Sequence, residues 1–235
     1  MKPSVDPKII VALDFATAGE ALVLAQQLDP QMCRVKVGKE LFTCAGPSVI
    51  EALHKLNFQV FLDLKFFDIP HTVSRAVLAA QALNVWMLTL HASGGPTMLR
   101  AAHDILRADL PAPLLIAVTV LTSWQAEDLL AVGVTRSLTE HVQQLAQLSM
   151  DAGLQGCVCS GHEAAALRQQ LGTSALLVTP GIRSSAVPTD DQQRILTAAQ
   201  ALHQGASYLV IGRPITQAAD PLRALADFHQ QIQLY

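Results

Sequence analysis

Short, nearly unbroken apolar runs alternate along this chain with longer stretches in which apolar residues recur at helical spacing. The runs are Ile9–Leu13, Cys33–Val37, Val60–Leu64, Trp86–Leu90, Leu114–Val118, Gly156–Cys159, Leu176–Val178 and Tyr208–Ile211. They are rich in Val, Ile and Leu and show no polar alternation, which is how strands covered on both faces read. The intervening stretches predict helices over Gly19–Leu28, Pro47–Leu56, Thr72–Leu83, Gly95–Leu106, Leu138–Asp151, His162–Leu171, Asp191–Gln204 and Pro221–Gln233. Thr17-Ala-Gly-Glu20 and Ser123-Trp-Gln-Ala-Glu127 carry helix-start signals. Eight strands alternating with eight helices predict a parallel sheet wrapped by helices. A closed (β/α)8 barrel, a TIM barrel of the α/β class, fits that count in one domain over residues 1–235. The alternative is an open doubly wound sheet, but no G-x-G-x-x-G follows the first strand.

Composition narrows the partners. Charged residues are 15% of the 235 and the formal net charge is −3, so no basic surplus argues for nucleic acid or an anionic membrane. The first apolar run is too short for a signal h-region, and no later one approaches the ~20 residues of a transmembrane helix. A cytoplasmic protein is expected. Cys33, Cys44, Cys157 and Cys159 form no C-x-x-C pair and read as free, buried thiols.

Polar residues gather where the strands end. Asp14 closes the first, Lys36 the second, and Asp63 and Lys65 the third. His91 ends the fourth, Thr119 and Thr122 the fifth, and Ser160 the sixth; Arg183 follows the seventh and Gly212-Arg213 closes the eighth. In a barrel these positions ring one opening, the face where active sites lie. The longest connections, Leu121–Thr139 and Gly181–Arg194, fall at that face too. Asp63 and Lys65 sit two apart, so a regular strand places both on one face; Asp68 lies on the turn beyond. A single charge here reads equally well as a solvated rim residue. Four charges beside strongly apolar runs call for partners or a task. His91 reads as a structural, hydrogen-bonded histidine, and the histidines at 54, 103, 141, 162, 203 and 229 fall in helical stretches.

Asp63-Leu-Lys65-Phe-Phe-Asp68-Ile-Pro resembles the D-x-K-x-x-D signature of the orotidine 5′-phosphate decarboxylase family. Collinear matches are Val11-Ala-Leu-Asp14, the segment from Val35 to Phe42, Leu90-His-Ala-Ser-Gly-Gly95, Ala117-Val-Thr-Val-Leu-Thr-Ser123, Val178-Thr-Pro-Gly-Ile-Arg183 and Val210-Ile-Gly-Arg-Pro214. They run from the first strand to the last; Ser184–Asp191 matches least. The resemblance implies a homodimer acting without cofactor or metal on orotidine 5′-phosphate. Lys36, Asp63 and Lys65 of one chain would join Asp68 of the other, accompanied by Thr72. Lys65 would stabilise the carbanion left at ring carbon C6 and protonate it, with flanking carboxylates favouring its charged form. Arg183, Gln192, Gly212 and Arg213 would hold the phosphate under a lid formed by the seventh loop. Asp14 and Lys36 would meet the ribose, and either Thr122 or Ser123 the pyrimidine.

Three rivals share parts of this pattern. Mg²⁺-dependent phosphosugar enzymes of the same suprafamily, such as a hexulose-phosphate synthase, carry the signature with a metal. A Schiff-base aldolase would use Lys65 or Lys36, but flanking carboxylates keep a lysine protonated and poorly nucleophilic. A non-catalytic phosphosugar-binding barrel would bind uridine 5′-phosphate without turnover.

Overall fold

The computed structural model describes residues 6–183 and 196–233. Parallel strands β1 (Ile9–Leu13), β2 (Cys33–Gly38), β3 (Val60–Phe66), β4 (Met87–His91), β5 (Leu114–Val118), β6 (Gly156–Val158) and β7 (Leu176–Thr179) follow one another around a barrel. A separate ladder joins β8 (Ile182–Arg183) to β9 (Leu196–Thr197), and β10 (Tyr208–Ile211) then closes the barrel between β7 and β1. Helices link successive strands on the outside, so the (β/α)8 expectation holds.

The unbroken apolar runs have the predicted cause: each strand buries both faces. Outward residues such as Ile9, Val11, Val35, Leu62, Leu88 and Leu115 pack under the helices. Inward residues Ile10, Phe61, Met87, Ile116, Val178 and Tyr208 form a second cluster that fills the barrel's middle. Below it, the N-terminal end is closed by Arg34, which is 6% exposed. Its guanidinium lies 3.9 Å from the Trp86 ring and 5.3 Å from that of Tyr208. It donates to Gln59 at 2.7 Å and pairs with Asp6 at 2.9 Å, so the buried charge is neutralised and its donors are used.

Helix starts refine the sequence reading. Thr17 caps α1 (Ala18–Ala25) as expected, accepting from the Glu20 N–H. The Leu121–Thr139 connection contains α6 (Ala126–Ala131). Its capping pair is Gln125 with Asp128, not Ser123 with Glu127, because the Asp128 carboxylate accepts the Gln125 N–H at 2.7 Å. The helix expected over Asp191–Gln204 is shorter where described: Leu196 and Thr197 are extended in β9, and α9 (Ala198–His203) starts after a Thr197 cap. Residues 191–195 lie outside the described part. Cys33, Cys157 and Cys159 are buried as read, but Cys44 is exposed: α2 (Lys39–Ala45) buries only Leu41.

Candidate active site

The inward face changes character toward the C-terminal ends of the strands. Above Phe61 and Ile10, the next inward positions carry Ala12, Lys36, Asp63, Val118, Val158 and Val210, and these line a cavity of about 500 Å³. Asp14, Lys65, Leu121, Thr122, Gly181, Arg183, Gly212, Arg213 and Gln217 complete its rim. Apolar β-strand residues thus wall a mouth whose polar groups come from strand ends.

Four charges form a chain across β1, β2 and β3. Lys36 Nζ donates to Asp14 Oδ1 at 3.0 Å and stands 3.6 Å from Asp63 Oδ2. Lys65 Nζ donates to both Asp63 oxygens, at 2.8 and 2.9 Å. Lys36 and Asp63 are the sheltered members, with side chains 10% and 13% exposed; Asp14 faces solvent at 62%. Burial alone raises the Asp63 pKa. The Lys36 and Lys65 ammoniums, with hydrogen bonds from Lys65 and Thr89, outweigh that and hold the carboxyl below the ordinary aspartate range. Gly38 makes room for the chain: a Cβ there would lie 3.2 Å from Asp14 Oδ1 and 3.3 Å from Lys36 Nζ.

Asp63 and Lys65 meet, but not by simple strand alternation. Lys65 has φ +53°, the left-handed region that few non-glycine residues adopt. Leu62 pairs with Leu88 and Phe66 with Leu90, so four steps along β3 oppose two along β4. The strand bulges there, and the bulge returns the lysine toward the carboxylate. Inside the bulge the Lys65 N–H donates to Thr89 Oγ1, and the Thr89 hydroxyl donates to Asp63 Oδ1, both at 2.9 Å.

The phosphate-site candidates converge in part. Arg183 on β8 and Gly212-Arg213 after β10 line the same mouth, and Gly181 turns the chain from β7 into β8 with φ +79°, a conformation open to glycine. Gln192 lies outside the described residues. Thr122 lines the cavity, whereas Ser123 is exposed and does not. Asp68 and Thr72 are exposed beside the mouth, and neither lines it within one protomer; Asp68 instead accepts from the Ile69 N–H at 2.6 Å. Phe67 and Ile69, on either side of Asp68, are 61% and 65% exposed.

Other residues depart from the sequence reading. The buried Nδ1 of His91 has no hydrogen-bond partner among the described residues. The ring instead packs at 5.7 Å from Phe67, and burial, then Lys39 and Lys65, lower its pKa. Thr89 and Gln217 join the site from outside the set of strand-end residues. Thr89 had a signal: it is a polar residue inside β4, two positions from inward Met87 on one side and from His91 on the other. Gln217 lies four residues after Arg213, the spacing that brings side chains to one helix face. Among the described residues, no group of three or more His, Cys, Asp or Glu is arranged to hold a metal ion, and no helix is long and apolar enough to cross a membrane.

The family model described as "Orotidine 5′-phosphate decarboxylase / HUMPS family" matches residues 7–228. A protein of Shewanella sediminis named orotidine 5′-phosphate decarboxylase is 54% identical over 227 residues, covering 96% of this chain and 97% of its own. One of the same name from Nitrosococcus oceani is 55% identical over 225 residues, covering 96% and 97%. The crystal structure of orotidine 5′-phosphate decarboxylase from Lactobacillus acidophilus superposes with a TM-score of 0.86 at 36% identity, over 97% of this chain and 99% of that one. With matches of this extent over one barrel and one collinear set of strand-end residues, the chain belongs to the orotidine 5′-phosphate decarboxylase / HUMPS family.

Proposed function

We propose that this chain is a carboxy-lyase that converts orotidine 5′-phosphate to uridine 5′-phosphate and CO₂ in pyrimidine biosynthesis. The observation that carries the reading is the alternating chain Asp14–Lys36–Asp63–Lys65 at the mouth of the cavity, in a protein whose relatives are named for this reaction over nearly their whole length.

The reaction breaks the bond between C6 of the pyrimidine and its carboxylate. The electron pair stays in the plane of the ring at C6, where no π-system readily takes it up. Stabilisation must therefore come from a cation already in place. Lys65 is that cation in our reading. Its ammonium stands beside C6 as CO₂ leaves, then passes a proton from Nζ to C6, and solvent restores the proton to the lysine. Asp63 holds the ammonium in place, and Lys36 balances Asp63 while reaching toward the ribose with Asp14. Thr122 meets the pyrimidine edge, which its position on the cavity wall supports over the exposed Ser123. Arg183, Arg213 and Gly212 take the phosphate, with Gln192 from the seventh loop. Binding energy from that remote group serves the reacting carbon.

The fifth polar group comes from a second copy of the chain. Asp68 stands beside the mouth on a turn whose neighbours Phe67 and Ile69 are exposed apolar side chains. A homodimer that covers this pair carries Asp68 and Thr72 into the partner's site. Both carboxylates of the cavity already have ammonium partners, which favours a reaction without a divalent ion over the Mg²⁺-dependent alternative.

The decisive assay follows the ultraviolet absorbance of orotidine 5′-phosphate in the presence of EDTA. Turnover to uridine 5′-phosphate is expected. No turnover, or turnover that EDTA abolishes, contradicts the reading. Lys65→Ala is expected to lower kcat by about 10²–10⁴-fold or more while uridine 5′-phosphate still binds; near-normal kcat removes Lys65 from its role. Arg213→Ala is expected to raise KM by about 10–100-fold, the scale of one lost charge-assisted contact. Equal activity of the parent enzyme on substrates with and without phosphate would argue against that use of Arg213.

A further inference from the structure

We infer that Thr89 is a positioning residue, whose hydroxyl ties the backbone of Lys65 to the carboxylate of Asp63 and so sets the direction in which the lysine points. The inference rests on Lys65 being the proton donor. It begins from the bulge. Residues 63–65 have no ladder partners on β4, because the register jumps from Leu62–Leu88 to Phe66–Leu90. The amide of Lys65 therefore has no strand carbonyl to meet, in a part of the barrel where an unmet N–H is costly. Thr89 stands opposite the gap and is fully buried. Its oxygen accepts the Lys65 N–H at 2.9 Å, and its single proton goes to Asp63 Oδ1 at 2.9 Å. Asp63 Oδ1 also receives the Lys65 ammonium at 2.8 Å.

These contacts close a ring that starts at the Lys65 amide and ends at the Lys65 ammonium, passing through Thr89 and Asp63. The backbone amide and the side-chain tip of one residue are therefore held by the same hydroxyl–carboxylate pair. The ring also fixes the strained residue, since a φ of +53° persists only where surrounding contacts over-determine it. A hydroxyl is required: valine has nearly the same shape but neither accepts from the amide nor donates to the carboxylate. Serine retains both functions. Leu90, the next residue of β4, points to the outer core and takes no part.

The charged and titratable groups around Asp63 are Lys36 from β2, Lys65 on its own strand, Asp14 from β1 through Lys36, and His91 farther along β4 near Lys65. Thr89 is the uncharged donor in that set. Removing it leaves the carboxylate with fewer donors, so Asp63 takes up a proton at higher pH.

The test compares Thr89→Val and Thr89→Ser with the parent protein. Thr89→Val is expected to lose at least about tenfold in kcat, with KM for orotidine 5′-phosphate within about twofold. Thr89→Ser is expected to recover kcat to within about threefold of the parent. The acid limb of the kcat profile moves to higher pH in Thr89→Val and stays in place in Thr89→Ser. If Thr89→Val does not fold, Thr89→Ala provides the hydroxyl-free comparison. The Asp63 carboxyl is also titrated by ¹³C NMR in each protein, a readout that needs no turnover. Its titration is expected to shift upward without the hydroxyl. An unchanged kcat and an unchanged Asp63 titration in the hydroxyl-free variant overturn the inference. So does a loss that serine fails to restore, which marks Thr89 as packing. If the parent protein does not decarboxylate orotidine 5′-phosphate, the assigned reaction falls while the NMR titration still decides whether Thr89 ties the pair.

Discussion

Asp63 shows how single positions at the mouth are tuned. Its folded pKa lies below the ordinary aspartate range, because two ammoniums and a threonine hydroxyl outweigh the effect of burial. A depressed carboxyl contributes stability above its unfolded pKa and loses it as pH falls through the folded value. Thermal midpoints measured from pH 7 downward are expected to fall on the acid side through this group. In Asp63→Asn that acid-side decline should be shallower; identical slopes would show that the group does not titrate as described. Gly38→Ala is expected to disturb the Asp14–Lys36 pair, since the added methyl crowds both charged atoms. A rise in KM with an unchanged melting temperature is the expected signature. At this scale the sequence was legible wherever chemistry coincided with a strand end: Asp14, Lys36, Asp63, Lys65, Arg183 and Arg213 all reach one cavity. Thr89 is not legible in this way, because a threonine within a strand also fits plain β-propensity. Its task follows from the register of the neighbouring strand, which no local pattern encodes.

Strands were legible because burial on two sides leaves a plain signature, and β1, β5 and β10 have the predicted limits. The bulge in β3 was not, because two-residue alternation already brought Asp63 and Lys65 together on paper. The structure reaches the same meeting through a strand that departs from its ladder, with Lys65 in the left-handed region. Helix ends were legible where one residue type both capped and preceded a glutamate, as at Thr17. They were misplaced at α6, where glutamine and aspartate share the task. Packing between elements imposes a further demand at Gly156 on β6. A Cβ there would lie 1.9 Å from the Leu176 carbonyl oxygen of β7, and backbone cannot swing aside as a side chain does. Gly156→Ala is therefore expected to cost at least about 1–3 kcal/mol. A thermal melt checks this, and an unchanged midpoint would show that the two strands can separate without loss.

At the scale of the whole molecule, the barrel and its outer helices could be read from the order of elements, but the completeness of the site could not. Nothing in the pattern of one chain says that Asp68 leaves its own cavity to serve another; that expectation came from family resemblance. Subunit mixing tests it. Lys65→Ala and Asp68→Ala are each expected to be inactive alone. After unfolding and refolding together in equal amounts they should regain about a quarter of the parent activity, because half the dimers are mixed and one of the two sites in each is intact. No recovery would place Asp68 outside the partner's chemistry. The stack of Arg34 on Trp86 and Tyr208 at the opposite end has its own consequence. With that end sealed and the middle filled with side chains, the described residues leave one doorway, at the C-terminal face. In the proposed reaction the gas and the nucleotide would share that doorway, so a nucleotide still seated in the mouth would slow the escape of the gas.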